Sequence, residues 1–144
     1  PRLETKTIFQ EMNKDNLNIS KIETYLNSIV DNVVSKNTYF TALPDKSVID
    51  ASDWTDMVLI DFPMGIKDLE AMGKGEVDIV LYARPLESGK KNVAKMSQLE
   101  TKLNEVVANA NDKNYHISRD DAHSMYDTDI KWHCNVITYI LKVF

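Results

Sequence analysis

The stretch from Ile130 to Phe144, IKWHCNVITYILKVF, constrains the fold more than any other part of the chain. It reads as one long strand. Ile130, Trp132, Cys134 and Val136 share one face by the two-residue period of extended backbone; Ile137, Tyr139, Leu141 and Val143 share the other. The apolar set changes parity near Asn135–Ile137. A sheet strand does this at a bulge, or where burial passes from one side to both.

Two other stretches carry the helical period. Ser20 and Glu23 fit a capping box. Ile22, Tyr25, Leu26, Ile29, Val30, Val33 and Val34 then form one apolar stripe that stops at Asn37, with Lys21, Asn27, Ser28, Asp31 and Asn32 on the other side. A second helix is expected from about Asn92 to Asn109, with Val93, Met96, Leu99, Leu103, Val106, Val107 and Ala110 buried.

Between and after them lie shorter extended runs. Met57–Phe62 is a compact strand closed by Pro63 and Gly65. Val77–Ala83 alternates Val77, Ile79 and Leu81 with Asp78, Val80 and Tyr82, as in a sheet covered on one side. Gly73 and Gly75 punctuate a loop before it. Ile66–Met72 is short for a helix, and residues 38–55 read as turns with one short strand. YHIS, from Tyr115, reads as a short strand and RDDAHSMYDTD as a polar hairpin-like connection. The order predicts an α+β fold: a mainly antiparallel sheet with two amphipathic helices packed on one face. Residues 1–18, where Ile8, Phe9 and Met12 can form one helical turn, read as an N-terminal arm, and residues 19–144 as a single domain.

Composition narrows function. The net charge is −5, against the basic balance of a protein that neutralises phosphates. The apolar runs are far short of the ~20 residues of a membrane span. A single cysteine, Cys134, permits no internal disulfide and fits a reducing compartment.

Catalytic patterns are few. His116, His123 and His133 lie near Asp120, Asp121, Asp127 and Asp129, side chains that zinc or manganese sites use. Their spacing lacks any HxH or HxxxH pair, and solvated loop charges account for the cluster. Asp61, Asp78 and Lys90 are the pieces of a carboxylate-and-lysine nuclease, without its E-x-K triplet. Cys134 beside His133 points to the opposite face of a strand, which suits a core cysteine better than a nucleophile. GKGE and SGKK lack the phosphate-loop pattern. Trp54 and Trp132 read as packing residues. No catalytic residue, cofactor or metal is assigned.

The strand VDIVLYARP, the loop ESGKKN, the helix VAKMSQLETKL and the ending WHCNVITYILKVF resemble the tail terminator and tail-completion proteins of long-tailed bacteriophages and prophages. A W-x-x-x-x-I-x-Y pattern of that family matches Trp132, Ile137 and Tyr139. The resemblance covers roughly residues 20–144 and rests on hydrophobic patterns. It implies a virion assembly role: subunits, usually six to a ring, cap the tail tube, stop its polymerisation and join tail to head. Partners would be other copies of the chain, the tube protein and head connector proteins, with DNA passing through the lumen. The setting would be the bacterial cytoplasm during assembly and then the virion tail. Arg84, Glu87, Lys90, Lys91 and Asn92 would form an oligomer or partner interface. The arm and the insert Pro63–Gly75 exceed the family pattern. Two other readings stay open: a small monomeric or dimeric bacterial adaptor domain, and a metal-dependent hydrolase using the His/Asp cluster at 116–133.

Overall fold

A computed structural model gives the fold and describes residues 12–144. A 3₁₀ turn at Lys14–Leu17 leads into α1 (Ile19–Val30). Then come β1 (Thr38–Phe40), α2 (Lys46–Ala51), β2 (Asp56–Asp61), β3 (Ile66–Asp68), β4 (Gly73–Ala83), α3 (Val93–Ala108), β5 (Tyr115–Asp127) and β6 (Trp132–Val143). The sheet runs β1-β2-β4-β6-β5, with β3 paired to the start of β4. Among these strands β1 and β2 run parallel, and the other pairings between them are antiparallel. This is the expected α+β fold.

The main core lies between the sheet and the two long helices. Ile22, Leu26 and Val30 of α1 and Met96, Leu99 and Leu103 of α3 meet Val77, Ile79 and Leu81 of β4 and Ile137, Tyr139, Leu141 and Val143 of β6. A second core covers one end of the other face. There Ile49 of α2, with Leu43 and Trp54, packs on Met57, Tyr82, Trp132 and Cys134. The parity change in β6 follows from these two covers. Its ladder with β4 keeps one register from Gly73↔Val143 to Ala83↔His133, so no bulge interrupts it. Burial switches sides: odd residues meet the helices, and Trp132, Cys134 and Val136 meet the second core.

Several boundaries differ from expectation. The α1 cap is Asn18, whose side chain accepts from the Lys21 amide, and not Ser20. The helix stops at Val30, because the chain reverses through Asn32, held left-handed at φ 60°, with its amide bonded to the Ser35 carbonyl. Val34 still reaches the core from that turn, while Val33 and Val93 are exposed. The segment Tyr115–Asp127 is one continuous strand with a bulge between Arg119 and Asp121, and not a strand followed by a loop.

The insert Pro63–Gly75 is the end of a hairpin: Ile66–Asp68 pairs with Gly73–Gly75. Gly73 and Gly75 therefore belong to a strand. A Cβ at Gly73 would sit 2.3 Å from Leu17 Cδ2, and one at Gly75 would sit 2.4 Å from Ile66 Cδ1, so close packing explains both glycines. Ile8 and Phe9 lie outside the described residues. Met12 is buried, Asn16 donates to the Phe144 carbonyl at 2.7 Å, and Tyr115 donates to the Asn16 carbonyl at 3.0 Å. Residues 12–18 thus close one end of the sheet.

Candidate assembly surface

The loop from Arg84 to Asn92 begins at the end of β4 and tightens between Leu86 and Lys90, whose backbones bond at 3.0 Å. Gly89 sits there at φ 84°, a conformation that favours glycine. Its charged residues divide into two groups. Arg84 turns inward: Nε donates to the Trp54 carbonyl at 2.6 Å, and the terminal nitrogen reaches the Ser52 carbonyl at 3.2 Å and the Ile49 carbonyl at 3.5 Å. Its guanidinium also lies 4.8 Å over the Trp132 ring. Lys91 donates to Asn135 Oδ1 at 2.7 Å and to Ser124 Oγ at 3.1 Å. Asn92 caps α3 by accepting from the Lys95 amide at 3.1 Å. Glu87 and Lys90 point to solvent, with Leu86 and Val93 exposed beside them.

The loop is pinned to the outer strands. Gly89 O lies 3.2 Å from His133 Nε2, and Tyr126 stands edge-on to the His133 ring at 4.9 Å. Behind it, Asn135 Oδ1 accepts from Ser124 at 2.9 Å and its amide donates to Glu100 at 2.9 Å. Loop, β5 and β6 therefore form one surface. Among the described residues β5 pairs with β6 alone; the turn at Asn111 and Asp112 bonds its outer backbone groups at Tyr115 and Ile117, and no described strand pairs with the outer side beyond them. Residues 118–126 are exposed on both faces, including Met125 and Tyr126. A long unpaired edge with exposed apolar side chains is a template for another chain.

Further in, Tyr139 is fully buried, and its hydroxyl has no hydrogen-bond partner among the described residues. Burial pushes its pKa up to about 12, with Arg119 pulling it down and Glu100 pushing it up. Asp56 lies at the other side of α3 and pairs with Lys95 at 3.1 Å. Burial works to raise its pKa, but hydrogen bonds from Ser35, Thr55 and Lys95 and the Lys95 charge outweigh it, so the carboxyl is held low.

The catalytic candidates do not converge. His116 packs on Phe144, His133 faces the loop, and His123 stands opposite Val136 on the other face. Among the described residues no three His, Cys, Asp or Glu side chains come together as a metal set. Burial, aided by Asp127 and opposed by Lys91, pushes the Cys134 thiol up to about 11. Asp61 and Asp78 are direct cross-strand partners, but Lys90 belongs to the loop on the helix-covered face.

Sequence reasoning found only the start of the edge strand, Tyr115–Ser118, and read the rest as a connection. Its outer half is polar on both sides, so no apolar alternation marks it, and Ser124, Asn135 and Glu100 were missed with it. No family model matches the chain, and no curated protein matches it. No helix among the described residues is long and apolar enough to cross a membrane.

Proposed function

We propose that this chain is a self-assembling structural subunit of the tail-terminator kind: a phage or prophage protein that forms a ring, caps the tail tube and joins tail to head. The observation that carries the assembly reading is the unpaired β5 edge, continuous with the 84–92 loop. A neighbouring subunit that covers this edge would satisfy its backbone groups and bury Met125 and Tyr126. Such a contact joins two different patches, and a heterologous contact gives a ring where the rotation between neighbours closes. Glu87 and Lys90 are the loop charges free to face the neighbour. Lys91 and Asn92 hold the loop in place, and Arg84 anchors its first residue. Ring copies, the tube protein and the head connector are the partners this role requires, with DNA passing through the lumen.

Tyr126→Lys combined with Lys90→Glu tests the proposal. A lysine at an open edge opposes strand addition, and both positions are exposed. The wild type is expected to form rings visible by electron microscopy, and the double variant to lose them while still unfolding in one cooperative thermal transition, at a midpoint lowered by the loss of assembly. Rings that survive the double variant reject this surface. A wild type that stays a single chain, yet binds one protein through the same edge, would be an adaptor.

A further inference from the structure

The sheet face turned away from α1 and α3 carries its charges in rows. Lys67 of β3 is the direct partner of Lys74 on β4, Lys74 of Lys142 on β6, and Lys142 of His116 on β5. Four residues along β4, ~13 Å away at 3.3–3.4 Å per residue, a second row begins. Asp61 of β2 is partner to Asp78, Asp78 to Thr138, and Thr138 to Asp121. The Thr138 hydroxyl donates to Asp78 Oδ1 at 2.7 Å, which fixes both on this face. Like charges placed directly opposite in a sheet are unfavourable. Among the described residues, Lys67, Lys74 and Lys142 have no ion pair. Among the described residues, neither row is neutralised by an ion pair, and Glu76 is the one acidic side chain standing between them on this face.

Midway lies a row of Glu76, Ile140 and Ser118. Beside it is a depression of about 590 Å³, lined by Met64, Leu69 and Ile140 together with Lys67, Lys74 and Glu76. The rows sit symmetrically about this middle one. A rotation about an in-plane axis along the middle row reverses the strands and keeps their order. It lays each lysine row on the aspartate row of another copy.

We propose that this face binds a second copy of the chain across a two-fold axis. Lys67 then meets the partner copy's Asp61, Lys74 its Asp78, and His116 its Asp121, each contact occurring twice. Lys142 meets the Thr138–Asp78 pair, and Ile140 meets its own counterpart at the centre. The 43–54 segment stands over Tyr82, ~20 Å along β4 from Glu76, whereas β4 extends only ~10 Å the other way to Gly73. The partner's protruding segment therefore overhangs the end of the sheet and does not block approach. The contact covers on the order of 1,000 Å² in total, the lower range of specific interfaces, so a reversible dimer is expected. A polyanion fits less well, because the aspartate row repels any phosphate chain laid along the face. This contact is isologous and closes at two copies, so it is separate from the ring contact at β5.

Sedimentation of the full chain tests the proposal with Lys74→Glu and Asp78→Lys. Each variant alone should weaken dimerisation at least about tenfold, since like charges then face each other across the axis. Mixing the two variants should restore a dimer, because both contacts become attractive in the mixed pair. Misfolding cannot produce that rescue, and Lys74→Glu relieves repulsion within its own chain. Glu76→Gln, on the axis, should tighten the dimer. Tyr126→Lys with Lys90→Glu should leave it intact, which separates this contact from the edge. A dimer indifferent to Lys74→Glu, or no rescue on mixing, overturns the proposal. So does a wild type of single-chain mass whose binding to a labelled DNA duplex is lost with Lys74→Glu, which assigns the lysine row to a polyanion.

Discussion

Removing the Arg84 side chain should cost more stability than any other change in the 84–92 loop. Arg84→Ala takes donors from the carbonyls of Trp54 and Ser52 and a cation from the face of Trp132. Hydrogen bonds from a charged donor contribute ~1.5–3 kcal/mol each, and a cation–π contact ~1 kcal/mol. Water reaches this half-buried site, so the lower end of the range applies, and the sum is about 3–4 kcal/mol. For a chain of this length that lowers the thermal midpoint by roughly 10 °C. Arg84→Lys should recover less than half, because a single ammonium cannot serve Trp54 and Ser52 while lying flat on Trp132. Urea unfolding followed by tryptophan fluorescence is the assay, since the guanidinium lies over the Trp132 ring and bonds the Trp54 carbonyl. A loss below about 1 kcal/mol with unchanged emission refutes the clamp. If assembly alone then failed, Arg84 would be an interface residue.

Tyr139→Phe should leave stability unchanged or raise it by up to about 1 kcal/mol, because a buried hydroxyl without a partner is lost; a marked loss in urea unfolding would reveal a partner for it. Asp56 has a folded pKa below its unfolded value, so its stabilisation is present above the unfolded value and lost as pH falls through the folded one. Asp56→Asn should therefore flatten the decline in urea midpoint across roughly pH 5 to 2, and an unaltered slope would contradict the Lys95 pairing. Cys134, with its thiol raised by burial, should react with an aromatic disulfide at pH 8 only as the chain opens; native reactivity equal to that of the unfolded chain would show an accessible thiolate.

The helices were legible because burial at one face imposes a period. Ile22, Leu26 and Val30, like Met96, Leu99 and Leu103, fall where that period puts them. The end of α1 was not legible, since Val33 and Val34 continue the stripe while the backbone has already turned at Asn32. The β6 parity change was visible, but its cause needed the second core, which depends on a six-residue α2 with a single fully buried side chain, Ile49. The loop residues were expected through the resemblance, and their charge alone could not separate Arg84, satisfied inside, from Lys90, exposed outside. The charge rows were beyond reach, because Lys67, Lys74, Lys142 and His116 become neighbours only through strand register.

Solution mass by sedimentation, with electron microscopy of the same sample, tests the assembly account most directly. Closed rings of many copies of the 16.5 kDa chain are expected, lost in the Tyr126→Lys, Lys90→Glu variant. A single-chain mass at every concentration, or rings indifferent to those two substitutions, would contradict it.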